Sequence, residues 1–156
     1  MNEEKGVPLL QQRRIEAKIF QAFLLALESE LGAGKARSLA ASVVSSLAFE
    51  KGREFRKLHP GGDISALAEL WQALSEGGAL DVEFFEQTGD CLRFRVKRCG
   101  YAEAYKEMGL ADLGCLLSCD RDEPFLRGFS DRISLDRSSP IMEGGSYCDF
   151  LYRVRK

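Results

Sequence analysis

The feature that most constrains this chain is a change of hydrophobic period at Gly77-Gly78. Before it, apolar residues recur every three to four positions; after it they alternate. Ile15, Ile19, Phe23, Leu27 and Leu31 recur at four, with Phe20 and Leu24 widening the stripe until Gly32 and Gly34 stop it. A second helix is expected over about 35–58, with Leu39, Val43, Leu47 and Phe55 on one face. Its centre, LAASVVSSLA, is rich in small residues, which permits close approach by a neighbouring helix. HPGGD breaks the pattern, and Asp63 then caps a third helix carrying Ile64, Leu67, Ala68, Trp71 and Leu74 as one stripe.

Beyond Gly78, Leu80, Val82 and Phe84 alternate with Asp81 and Glu83, and Leu92, Phe94 and Val96 alternate with Arg93, Arg95 and Lys97. Aligning two even-numbered apolar sets on one face requires an odd-numbered loop. Gln87-Thr88-Gly89 fits, with Gly89 in the left-handed position. This register sets Glu83 opposite Arg93 and Asp81 opposite Arg95, so the charges of the wet face read as cross-strand pairs. Helical spacing returns at Tyr101, Tyr105 and Met108, breaks at Gly109, and resumes at Leu113, Leu116 and Leu117. RISLDRSS and YCDFLYRVR complete the chain as two more strands. The expected fold is α+β: N-terminal helices on an antiparallel sheet of about four strands, with a helical insertion between the second and third. Residues 1–156 are expected to form a single domain, 1–78 helical and 79–156 carrying the sheet.

Composition narrows the function. Lys and Arg number 22 against 24 Asp and Glu, and no basic block stands out, which argues against nucleic acid as a partner. The apolar stretches are interrupted before reaching the ~18 residues of a membrane span. MNEEKGVPLL lacks the basic and apolar regions of a secretory signal, so a cytoplasmic protein is expected. Cys91, Cys99, Cys115, Cys119 and Cys148 then read as free thiols, an odd number that fits a closed disulfide framework poorly. Oligomeric state is left open, a homo-oligomer included.

Familiar catalytic patterns are missing. The single histidine, His59, sits before Pro60 in a glycine-rich turn; GAGK at 32–35 joins two helices and lacks phosphate-loop spacing; no CxxC pairs signal zinc. No cofactor or metal is expected. What remains is a cluster in the second half: Cys99 at a strand end, Cys115 and Cys119 four apart, Asp120 and Asp122 after them, and Cys148-Asp149 on the last strand. Thiolates attack electron-poor carbon, and a neighbouring carboxyl group passes protons to a leaving nitrogen or sulfur. Each cysteine has a plainer reading as a small core residue.

The order of motifs adds to this. RCGYAEAYKEMGLADLGCLLSCDRD, then GF, ISLDR and IMEGGSYCDFLYR, resembles the L-2-amino-thiazoline-4-carboxylic acid hydrolase family in its succession of Cys-x-Tyr-Ala, Gly-Leu, Cys-x-x-Asp and Glu-Gly…Cys-Asp-Phe. The matching positions are Cys99, Tyr101, Ala102, Gly109, Leu110, Cys119, Asp122, Glu143, Gly144, Cys148, Asp149 and Phe150. The resemblance implies hydrolytic opening of a small cyclic amidine to a carbamoyl derivative of cysteine. For that chemistry we expect Cys119 as nucleophile and Asp122 or Glu143 as proton donor. Arg98 or Arg137 would anchor the substrate carboxylate, Cys148 and Asp149 would complete the catalytic group, and Cys99 and Tyr101 would line the substrate. The alternative is a non-catalytic module that binds a small ligand, or a soft metal through Cys99, Cys119 and Cys148. A subunit that docks on others through its small-residue helix is a third reading.

Overall fold

The computed structural model describes residues 7–138 and 140–156, so part of the MNEEKGVPLL segment lies outside the described residues. Three helices come first: α1 (Leu9–Leu31), α2 (Ala33–Leu58) and α3 (Ile64–Glu76). Gly32, at φ 81°, makes the break between the first two. Asp63 caps α3 by accepting a hydrogen bond from the Ala66 amide at 3.1 Å. After Gly78 come β1 (Leu80–Gln87) and β2 (Cys91–Cys99). The insertion follows as α4 (Gly100–Glu107), a short turn of helix α5 (Gly114–Leu117) and α6 (Asp122–Phe129), linked by 3-10 turns at Ala111–Leu113 and Cys119–Arg121. β3 (Ile133–Ser138) and β4 (Cys148–Val154) finish the sheet, whose antiparallel order is β1-β2-β4-β3. The expected α+β architecture and the placement of the helical insertion are both present.

The sheet covers its inner face with α3. Leu92, Phe94 and Val96 of β2 and Cys148, Phe150 and Tyr152 of β4 are buried there, as strict alternation requires. Trp71 of α3 lies against the Phe94 and Phe150 rings, centroids 4.6 and 4.7 Å away, and its indole N–H donates to the Tyr152 hydroxyl at 3.2 Å. Phe94 and Phe150 stack across the β2–β4 pair at 4.9 Å.

Two expectations are corrected. The hairpin turns on Gly89-Asp90, with the Thr88 amide donating to the Cys91 carbonyl at 2.8 Å, and Gly89 is not left-handed. The displaced turn already sets Gln87 opposite Leu92, and with irregularities between Asp81 and Val82 and between Phe84 and Glu86 the pairing has Glu83 facing Arg95 and Asp81 facing Arg98. Each bulge advances one strand by a residue, which a simple alternation count does not register.

The larger correction concerns the faces of α1 and α2. Ile15, Ile19 and Phe23 are exposed, Phe23 by 68%, and Leu39, Val43 and Leu47 are about half exposed. Buried instead are Ala17 and Leu24 on α1, and Ala36, Ala40, Val44, Ala48 and Gly52 on α2. The reason is α6. It lies so close to α2 that a Cβ on Gly52 would overlap the Phe125 carbonyl, and one on Gly128 would overlap the Phe49 carbonyl. At Gly52 and Gly128 the backbones leave no room for any side chain, so the α2 face that carries Gly52, with Val44 as its largest member, turns inward. That stripe is therefore occupied within the chain, where one reading had reserved it for another subunit.

Gly52→Ala tests this contact. Alanine favours a helix over glycine by about 1 kcal/mol, yet here the clash should dominate and destabilise by about 1–3 kcal/mol. A chemical-denaturation midpoint equal to or above that of the parent would contradict the packing described.

Candidate functional site

Arg137 ties the insertion to the sheet. It lies in β3 opposite Phe150, on the inner, helix-covered face. One of its guanidinium nitrogens donates to the Cys119 carbonyl at 2.6 Å and to the Asp122 carboxylate at 2.7 Å. Asp122 opens α6 and its side chain is partly buried. Burial pushes its carboxyl up to about 6, against the pull of the adjacent Arg137. Asp122 is thus poised to take or give a proton near neutrality.

Cys119 and Cys148 lie near this pair, and Cys99 lies near those two thiols. Burial pushes the Cys119 thiol well up; the charges of Cys115, Asp122 and Cys99 act with burial and that of Arg137 against it. Cys99 precedes α4, and its sulfur accepts from the Ala102 amide at 3.4 Å. The Cys148 sulfur accepts from the Ile141 amide at 3.2 Å. Both thiols are raised by burial despite those bonds, and Cys148 also feels Arg137 and Asp122. Of the expected residues, Cys99, Cys119, Cys148, Asp122 and Arg137 therefore share one environment. Glu143 reaches its edge. The Cys115 thiol donates to the Glu143 carboxylate at 3.6 Å, and Cys115 adjoins Cys119.

The remaining expected residues lie elsewhere. Asp149 points to the outer face of the sheet, where Arg95 grips both its oxygens at 2.9 and 3.3 Å and stacks on Tyr147 at 3.9 Å. Alternation along β4 makes this unavoidable once Cys148 faces inward. Arg98 is at the surface, paired with Glu103 and donating to the Gly78 carbonyl. Tyr101 is buried on α4, and among the described residues its hydroxyl has no hydrogen-bond partner. His59 stacks on Phe55 with centroids 4.1 Å apart, an anchoring role at the end of α2. A groove of about 610 Å³ on the outer sheet face, lined by Glu86, Arg93, Asp136, Asp149 and Arg153 among others, is separated from the thiols by the sheet itself.

Among the described residues no three His, Cys, Asp or Glu are grouped tightly enough to hold a metal ion. None of their helices is long and apolar enough to cross a membrane. Two arginines escaped notice in the sequence. Arg13 of α1 is largely buried and pairs with Glu16 at 2.7 Å. Arg121, in the turn between Cys119 and Asp122, is half-buried beside Arg13 and Tyr105. The signal for Arg13 was its place on the Ala17–Leu24 face of α1, the face that proves to be inner.

The family model described as L-2-amino-thiazoline-4-carboxylic acid hydrolase matches residues 12–152. No curated protein matches the chain in sequence. Among solved structures, the chain resembles the phenol-responsive sensory domain of the transcription activator PoxR with phenol. The TM-score is 0.53 at 13% identity, covering 99% of this chain and 79% of that one. It also resembles trafficking protein particle complex subunit 3 from Naegleria fowleri covalently bound to palmitic acid, with TM-score 0.51 at 9% identity, covering 93% and 96%. At such identities the likeness is one of fold.

The thiol environment predicts slow chemistry with alkylating reagents. In native protein at pH 7.5, Cys99, Cys119 and Cys148 should react with iodoacetamide at least about tenfold more slowly than in denatured protein, because only the thiolate attacks. Mass-spectrometric counting over time checks this. Rapid labelling of Cys119 would show that its thiol is neither buried nor raised.

Proposed function

We propose, from the fact that this chain belongs to the L-2-amino-thiazoline-4-carboxylic acid hydrolase family, that it opens a small cyclic amidine by adding water to the ring carbon between nitrogen and sulfur. The observation that carries this is the Asp122 carboxyl, held by Arg137 beneath the sheet and pushed up to about 6. A group with that affinity is mostly ionised at neutral pH and still binds a proton readily, which suits one residue that accepts and then returns it.

The chemistry balances with one water. The substrate carbon is electrophilic when its amidine is protonated. As water oxygen adds there, Asp122 takes one of its protons. Collapse of the tetrahedral adduct breaks the carbon–sulfur bond, and Asp122 returns the proton to the departing sulfur. The product is a carbamoyl-cysteine with a free thiol. Arg137 keeps Asp122 oriented and, through the Cys119 carbonyl, fixes the turn on which it stands. Cys119, Cys99 and Cys148 stay neutral by burial, so water is a better nucleophile here than any of the three. In this reading they give the site its soft, low-polarity wall, with Glu143 as a second acid at its edge.

A second reading draws on the neighbours. One is named as a sensory domain with phenol and another as covalently bound to palmitic acid. The same fold here would hold a small ligand without turning it over, and the neutral thiols favour that reading over a cysteine nucleophile.

Steady-state assays with L-2-amino-thiazoline-4-carboxylate separate the two. Asp122→Asn should lower kcat by at least about 100-fold, in the range removed with a general acid–base group. The parent kcat/KM should rise with pH through about 6 as Asp122 ionises, and the variant should lack that limb. Cys119→Ala should retain activity within about tenfold if water attacks directly; its loss would move the nucleophile to sulfur. Saturable binding with no product from the parent would sink the hydrolase reading and leave the ligand-binding one.

A further inference from the structure

We infer that the outer faces of α1 and α2 pair with a second copy of this chain, joining two protomers into a symmetric dimer. None of the residues involved belongs to the thiol–carboxyl site, so the pairing is independent of the chemistry proposed above.

α1 rests on α4 and α2 rests on α6, so the two helices lie outside the insertion. They are joined through Gly32 and tied by the Arg37–Glu28 bond at 2.8 Å. With their inner faces settled in this way, Ile15, Ile19 and Phe23 on α1 and Leu39, Val43 and Leu47 on α2 are left between 49% and 68% exposed. On each helix the three recur at four residues, which lines them along one stripe. At about 100 Å² for a half-exposed side chain of this size, the six leave on the order of 600 Å² of apolar surface. That reaches the upper end of the largest patch on an ordinary monomer, about 300–600 Å². Together with the small residues between them it approaches the roughly 800 Å² that one partner contributes to a standard stable interface.

The distribution of charge agrees. Residues 19–27 and 38–49 contain no Asp, Glu, Lys or Arg on any face, in a chain that is 29% charged. A surface helix that met only water would carry charged residues on its outer side. Depletion of charge around an exposed aromatic, here Phe23, is instead the make-up of an interface core.

The same depletion selects the occupant. Near a two-fold axis each side chain meets its own counterpart, so a charge there would face its like. A strip without charge avoids that repulsion. A different protein would be chosen by opposite charge, and a lipid surface by lysines and arginines beside the apolar stripe. Within these two segments neither signal is present. Ala22 and Ala26 stand next to Phe23, and Ser42 and Ser46 next to Val43, leaving grooves between the large side chains for those of a facing helix.

Sedimentation equilibrium of the full chain over about 1–100 μM tests the pairing. The parent should give twice 17.4 kDa, with a dissociation constant of about 10 μM or tighter. Phe23→Glu and Val43→Glu, one on each helix, should each raise that constant by at least about 100-fold while the helical circular dichroism stays that of the parent. Where glutamate disrupts folding, Phe23→Ala and Val43→Ala remove the contact without adding charge and should each raise it by about tenfold. A parent that stays at 17.4 kDa at the highest concentration overturns the proposal. Binding of that monomer to phosphatidylcholine–phosphatidylglycerol vesicles would then assign the face to lipid. A dimer that survives a folded variant on either helix also overturns it, since both helices are required.

Discussion

The close contact between α2 and α6 determines much else in this molecule. Gly52 and Gly128 let the two backbones touch, each glycine beneath a carbonyl of the other helix. That contact fixes α6, and α6 begins with Asp122. The helical insertion has little regular structure of its own, only short helices and 3-10 turns. Isolated helices of that length are unstable in water, so the insertion takes its shape from what it packs on. α2 supplies a flat, small-residue bed on one side, and the sheet supplies Arg137 on the other. The position of Asp122 is thus set by two glycines away from it and by the arginine it pairs with.

Arg137 acts as a strut across the layers. It leaves the sheet among aromatic neighbours, and its charge is satisfied at the far end by a carboxylate and a backbone carbonyl. Buried ion pairs add little net stability compared with apolar packing, because desolvation offsets attraction. They do impose a single geometry, since any other leaves a charge unsatisfied. The same low polarity that makes the pair specific also raises Asp122 and suppresses the thiols. One environment thus raises the carboxyl and the thiols together.

The fold was legible in the sequence wherever one pattern dominated. The change of period at Gly77-Gly78, the Asp63 cap and the inner faces of β2 and β4 all lie where alternation or capping chemistry places them. The helix faces were not legible, because α2 carries two stripes four residues apart. Leu39, Val43 and Leu47 are the more apolar; Ala40, Val44 and Ala48 are the smaller. Hydrophobicity favours the first, and only the nearness of α6 selects the second. The strand register was misplaced at the turn, which lies further along the chain than Gly89 in a left-handed position would put it, and two bulges add single-residue steps. For the site, the ordered motifs singled out Cys99, Cys119, Asp122 and Cys148; Arg137 ties Asp122 to the Cys119 carbonyl. Asp149 and Arg98 were grouped with them by nearness in sequence, which says nothing of direction. Arg121 had no spacing to mark it, because its surroundings come from α1 and α4, far away along the chain.

The chain has a single tryptophan, and its setting is unusually informative. Trp71 of α3 is wedged against Phe94 of β2 and Phe150 of β4 and bonded to Tyr152 of β4. Intrinsic fluorescence therefore reports one joint only, the seating of α3 on the sheet. An unfolding step confined to the α2–α6 contact would change the helical circular dichroism before it changed the tryptophan emission.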